Sequence, residues 1–106
     1  MPVPDLARIE GFEWDDGNAG KSARKHGVDR FESQQVFFNE PLILAEDLSH
    51  SQDEPRFNAL GKTDAGRAMH VTFTLRGGGK LIRVISARDM SRKERLVYGK
   101  SPEESP

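Results

Sequence analysis

The sequence predicts an α+β domain: a short N-terminal strand, two helices, an antiparallel four-strand meander and a C-terminal helix. Two observations carry this reading. Between residues 42 and 88 apolar side chains fall into runs with strand character, separated by turn residues. Outside that block the spacing turns helical, and two stretches open on capping signatures, Asp29-Arg30-Phe31-Glu32 and Ser91-Arg92-Lys93-Glu94. A chain of 106 residues supports one core. A single domain is therefore expected over residues 9–98, between a flexible segment 1–8 and a disordered tail 99–106.

Taken in order, Ile9 to Trp14 reads as a short strand with Phe12 and Trp14 on one face. Asp15 or Asp16 offers the N-cap of a first helix running to about His26, with Gly27 suited to the left-handed residue beyond it. Gly17 and Gly20 weaken that helix. The second helix carries Phe31, Gln35 and Phe38 along one stripe, with Val36 and Phe37 beside it, and ends at Asn39-Glu40-Pro41. Residues 42–47 alternate as a strand, and Ser49 to Pro55 form a polar loop. Arg56 to Lys62 is the next strand, closed by a tight turn at Thr63-Asp64-Ala65-Gly66. Arg67 to Arg76 alternates most clearly, with Met69, Val71, Phe73 and Leu75 inward and Ala68, His70, Thr72 and Thr74 outward.

Gly77-Gly78-Gly79 then returns the chain into Lys80 to Arg88, a nearly unbroken apolar run that suits a central strand covered on both faces. Counting by twos puts Arg83 with Leu81, Ile85 and Ala87, and Arg88 on the opposite face with Ile82, Val84 and Ser86. A guanidinium in a sheet needs a carboxylate, a backbone oxygen, water or a bound anion.

Charge is segregated along the chain, although the formal net charge is only -1. Residues 32–54 hold six acids and no Lys or Arg, whereas residues 55–95 hold ten bases against Asp64, Asp89 and Glu94. The basic half points to a polyanionic partner, and mutual neutralisation of the two halves is the alternative. The absence of cysteine excludes disulfides and thiolate metal sites. Neither a membrane span nor a signal peptide is legible, so a cytoplasmic protein is expected.

Phosphate-binding glycine loops and a nucleophile elbow are absent from the sequence. Asp47, His50, Asp53 and Glu54 form the densest metal-like cluster, but such polar loops are mostly solvated turns, and no metal or cofactor is expected. His70, outward on an ordinary strand, reads as structural or exposed. RNA cleavage suits the remaining parts. The 2′-hydroxyl is the nucleophile, so the protein need supply only proton transfer and fixed cations around the phosphorane. Arg56, Arg67, Arg83 and Arg88 on three neighbouring strands could provide the cations.

Phe12-Glu13-Trp14-Asp15, Lys25-His26-Gly27-Val28, Val36-Phe37 with Pro41, and Asp47, His50 and Arg56 form an ordered series. It continues through Arg83-Val84-Ile85-Ser86-Ala87-Arg88 to Arg92, Glu94 and Tyr98, and in order and spacing it resembles the BrnT toxin family over residues 12–98. The resemblance implies a RelE-like fold and a metal-independent ribonuclease toxin that inhibits translation. It implies a BrnA-type antitoxin partner as well, with operator DNA bound only through the toxin–antitoxin complex.

The polar residues matching the family's motifs are Lys25, His26, His50, Glu54, Arg56, Arg83, Arg88 and Glu94. Arg56, Arg83 and Arg88 are then expected to hold phosphate, His26 or His50 to move the proton, and Lys25, Arg67 and Arg92 to contact RNA. Glu94 is expected to cap the last helix. Gly17, Gly20 and the tail after Gly99 depart from the family pattern. A non-catalytic module that grips an acidic partner or nucleic acid is the alternative function, and a structural protein with internally paired charges is the third.

Overall fold

The computed structural model describes residues 4–50 and 54–100. Five strands, β1 (Gly11–Phe12), β2 (Ile43–Glu46), β3 (Phe57–Lys62), β4 (Ala68–Arg76) and β5 (Leu81–Asp89), form one sheet in the order β1-β5-β4-β3-β2. Helices α1 (Lys21–His26) and α2 (Arg30–Gln35) precede β2, and α3 (Arg92–Gly99) follows β5. The antiparallel meander from β2 to β5 follows the expected order. The sheet is nevertheless mixed, because β1 adds a fifth strand parallel to β5. Leu6–Arg8 form a 3-10 turn capped by Asp5, within the segment expected to be flexible, and residues 101–106 of the expected tail lie outside the described residues.

Both capping boxes form. Asp29 accepts from the Glu32 N–H while Glu32 accepts from the Asp29 N–H, and Ser91 and Glu94 do the same for α3. Gly27 ends α1 in the left-handed region at φ 68°. The start of α1 differs from expectation: the helix begins at Lys21, and residues 16–20 are turns. Asn18 explains the difference. Its buried amide donates to the carbonyls of Glu13 and Val84, and its oxygen accepts from the Asp15 N–H, which holds this stretch out of a helical path.

The same segment seals the edge of β5. Where β1 stops, the Glu13 N–H donates to the Ile82 carbonyl, Asn18 donates to Val84, and the Ala87 N–H donates to the Ser22 hydroxyl. Beyond Glu13, backbone groups that a longer β1 would have paired are thereby satisfied by the side chains of Asn18 and Ser22.

β5 departs from simple alternation. Thr72 pairs with Ser86 and Phe73 with Val84, leaving Ile85 as an extra, bulged residue. The extra residue reverses the face assignment beyond it. Ile82, Val84 and Ala87 are buried, while Arg83 pairs with Thr74 and Arg88 with His70 on the other face. The two arginines, assigned to opposite faces by counting, therefore share one face. β5 is correspondingly covered on its core face, while its other face is only half-buried.

The core lies between the sheet and the helices that precede β2. Phe73, Met69, Val71, Ala59, Ile82 and Val84 from the sheet meet Val28 and Val36. Phe37 packs edge-on against Phe73 at 5.0 Å and reaches Phe12 at 5.8 Å. The expected stripe on the second helix is corrected: Phe31 and Phe38 are exposed, and Val36 and Phe37, in a 3-10 turn after Gln35, carry the packing. A helix this short has few positions to present, and the change to a tighter turn rotates Val36 inward.

Val36 also fixes a residue on β3. A Cβ at Gly61 would stand 2.7 Å from Val36 Cγ1 and 3.2 Å from the Val36 carbonyl oxygen. Gly61→Ala is expected to cost about 1–3 kcal/mol through overpacking, read as a lower urea midpoint. An unchanged midpoint contradicts this packing.

Candidate active site on the open face of the sheet

The face opposite the core is built by the register of three strands. Asn58, Thr72 and Ser86 lie side by side across β3, β4 and β5, with His70 beside Arg88 one step along. Together with Arg56, Ile85 and the loop residues Asp47 and Ser49 they line a groove of about 430 Å³. Thr72 donates to Asn58 Oδ1 at 2.9 Å across the groove floor. The lining is polar and holds two guanidinium groups, a suitable setting for an anion.

Glu94 of α3 leans over one end. Arg88 Nη1 and Nη2 donate to Glu94 Oε1 and Oε2, each at 2.9 Å, and the Ser91 N–H donates to the same carboxylate. The fork of Arg88 holds the Glu94 carboxyl down at about 2, with the Ser91 N–H helping. His70 Nε2 stands 3.8 Å from Glu94 Oε2, and the imidazole side chain is only 16% exposed. Burial and the Arg88 charge push the imidazole below its ordinary value, while Glu94 and Asp47 pull the other way.

The expected site residues divide. Arg56 and Arg88 meet in the groove. Arg83 does not line it: its guanidinium donates to both oxygens of Asp15 at 2.9 and 3.0 Å and to Glu13 at 3.1 Å. This double clamp holds the Asp15 carboxyl below the usual range, helped by the Gly17 N–H. Gly17 passes so close that a Cβ there would stand 3.0 Å from Arg83 Nη2. Arg67 is likewise engaged, by Asp89 at 2.7 Å and Glu32 at 3.1 Å.

Lys25 and His26 end α1 and do not line the groove, and the charge of His26 helps lower the Asp89 carboxyl. Arg92 is exposed at the first turn of α3. The backbone of His50 ends the 3-10 turn Leu48–His50 beside Ser49, while its side chain and residues 51–53, including Asp53, lie outside the described residues. Glu54 pairs with Arg76 at 3.0 Å. Among the described residues no group of three or more His, Asp or Glu is arranged to hold a metal ion.

The sequence reads His70 as structural or exposed and does not mark Asn58 or Thr72 as site residues. Their outward positions on alternating strands were legible, but their meeting with Arg88 depends on the bulge at Ile85.

The Glu94 clamp has a stability signature. A carboxyl lowered from 4.5 to about 2 contributes stability that is fully present above about pH 4.5 and is lost as pH falls through about 2. Glu94→Gln is expected to remove on the order of 1 kcal/mol of that pH-dependent stability, a figure reduced by solvent screening. Urea midpoints at pH 6 and pH 3 check this, and an unchanged pH dependence in the variant contradicts it.

Comparison with known proteins places the chain. No curated protein matches it significantly. Among solved structures, the 1.1 Å crystal structure of the Brucella abortus ribonuclease toxin BrnT superposes with a TM-score of 0.57 at 21% identity. The superposition covers 79% of this chain and 100% of that one, and the likeness is one of fold. The family model described as ribonuclease toxin, BrnT, of type II toxin-antitoxin system matches residues 14–94, which span β5 with its bulge, the groove-lining strands and Glu94. With that match over most of its length, the chain belongs to the BrnT family of ribonuclease toxins from type II toxin-antitoxin systems.

Proposed function

We propose that this chain is a metal-independent endoribonuclease toxin that cleaves RNA through its 2′-hydroxyl in the groove on the open face of the sheet, and so inhibits translation. The observation that carries this reading is the pairing of Arg56 and Arg88 in a groove lined by hydroxyl and amide groups. A phosphodiester seated there meets two guanidinium donors and the hydroxyl and amide groups of Asn58, Thr72 and Ser86, with Asp47 the one carboxylate among the described lining residues. Guanidinium groups cannot lose their protons, so they can stabilise the charge that develops on the phosphorane without a metal ion.

Arg88 is the main phosphate ligand in this reading, exchanging Glu94 for a phosphate oxygen as RNA enters. Arg83 serves instead to fasten β5 to the segment after β1, since its guanidinium is already met by Asp15 and Glu13. Lys25 and Arg92 remain candidate contacts for RNA beyond the scissile phosphate, and His26 and His50 remain the sequence-derived candidates for proton transfer. A BrnA-type antitoxin neutralises the toxin, and operator DNA is reached only through their complex. The family's type II toxin-antitoxin membership supports an antitoxin partner and an RNA target. Among the described residues no helix is long and apolar enough to cross a membrane; we place the protein in the cytoplasm with its RNA target.

A binding module without catalysis is the second reading. It is favoured by the carboxylate clamp on Arg88, which leaves both terminal nitrogens occupied.

Inducible expression in a bacterium, with and without the antitoxin, separates the two. Growth arrest and RNA breakdown reversed by the antitoxin are expected, with cleavage by the purified protein persisting in EDTA. Arg88→Ala is expected to lower cleavage by about 10²–10³-fold, the usual loss for one transition-state donor. Intact RNA and normal growth with soluble, folded wild-type protein would move the assignment to the binding module.

A further inference from the structure

We propose that His70, with the Glu94 carboxylate close by, is the general base that takes the proton from the ribose 2′-hydroxyl in this groove. The proposal rests on the ribonuclease reading and names a residue that the sequence motifs do not mark. Its ring lines the groove beside Arg88, so proton acceptor and phosphate ligand sit on paired positions of adjacent strands. That proximity is what general-base catalysis on a phosphodiester requires.

Glu94 lies next to the ring. At 3.8 Å its oxygen is beyond hydrogen-bond reach of Nε2, and an ionised carboxylate has no proton to donate, so Glu94 leaves that nitrogen's lone pair open. It remains close enough to stabilise an imidazolium once one forms. When Arg88 turns to phosphate, the Ser91 N–H still holds the carboxylate in place, so Glu94 can stabilise the imidazolium through its charge. The charged groups facing the imidazole are Arg88 from β5, Glu94 from α3 and Asp47 from the loop after β2. Burial and Arg88 favour the neutral ring, the form that accepts a proton, while the two carboxylates favour its protonated product.

The step balances as a transesterification. The imidazole lone pair takes the 2′-hydroxyl proton, the 2′-oxygen to phosphorus bond forms, and the bond from phosphorus to the 5′-oxygen breaks. The leaving 5′-oxygen takes a proton from water, and the hydroxide so produced is neutralised by the proton that His70 gives back. The products are a 2′,3′-cyclic phosphate and a 5′-hydroxyl. Arg88 faces the charge that builds on the equatorial oxygens.

The test uses the purified full chain with RNA both free and loaded on ribosomes, comparing wild type with His70→Gln across pH 5 to 9. His70→Gln is expected to cut the cleavage rate by about 10²-fold or more and to abolish the rise in rate with pH that the neutral base produces. Its affinity for an uncleavable 2′-O-methyl RNA is expected to stay within about twofold of wild type, because phosphate contacts set most of that affinity. A His70→Gln protein that cleaves within about threefold of wild type, with the same pH profile, overturns the assignment of His70 alone. Wild-type protein that cleaves neither substrate overturns the ribonuclease reading as well. If His70→Gln melts early, added imidazole decides with His70→Ala: recovery of cleavage supports the role, and no recovery overturns it.

Discussion

One extra residue in β5 sets the chemistry of the open face. With Ile85 bulged, Val84 and Ala87 both point into the core, while Arg83, Ser86 and Arg88 share the other side of the sheet. Removing the bulge would send one half of the strand to the wrong face, since a one-residue slip in a strand exchanges every side chain between faces. The bulge is anchored from the edge. Asn18 grips the Val84 carbonyl just before it and Ser22 receives the Ala87 N–H just after it, so the turn before α1 and the first turn of α1 hold the two flanks of the irregularity. Arg83, clamped by Asp15 and Glu13, ties the same segment to the strand a second time.

The charge segregation has a two-part resolution. Part of the basic half is neutralised inside the fold: Arg67 by Glu32 and Asp89, Arg76 by Glu13 and Glu54, and Arg83 by Glu13 and Asp15. These pairs tie the sheet to its neighbouring segments. At Arg88 the compensation is different. Its partner Glu94 is on a helix with no buried residue, tied down by its cap, by the Arg88 clamp and by the Tyr98 hydroxyl that donates to the Pro41 carbonyl. Among the described residues Arg88 thus has one carboxylate partner where Arg83 has two, and the proposed function needs a phosphate oxygen to exchange with that one.

The sequence made the meander readable because β3 and β4 each bury one face, and period-two burial leaves a direct trace in residue order. Both capping boxes were readable for a similar reason, their four residues being local in the chain. The parallel β1, the late start of α1 and the bulge were not, since each depends on contacts between residues far apart: Asn18 with Val84, Ser22 with Ala87, and Thr72 with Ser86. The arginine motif identified the family, yet it gave no means of separating Arg83 from Arg88. Only tertiary pairing distinguishes a guanidinium closed off by two carboxylates from one at the mouth of a groove. His70 reads as structural or exposed by the same logic, because a lone outward histidine on a strand carries no local mark of what lies opposite.

Backbone amide shifts on titrating the folded protein with a 2′-O-methyl RNA test most directly whether the bulged face is where RNA binds. The modified RNA cannot be cleaved, so the complex is stable during the measurement. The account predicts perturbations centred on Asn58, Thr72, Ser86 and Arg88, with α1 little affected. Perturbations confined to the Lys25 and His26 end of α1, with the open face silent, would contradict it.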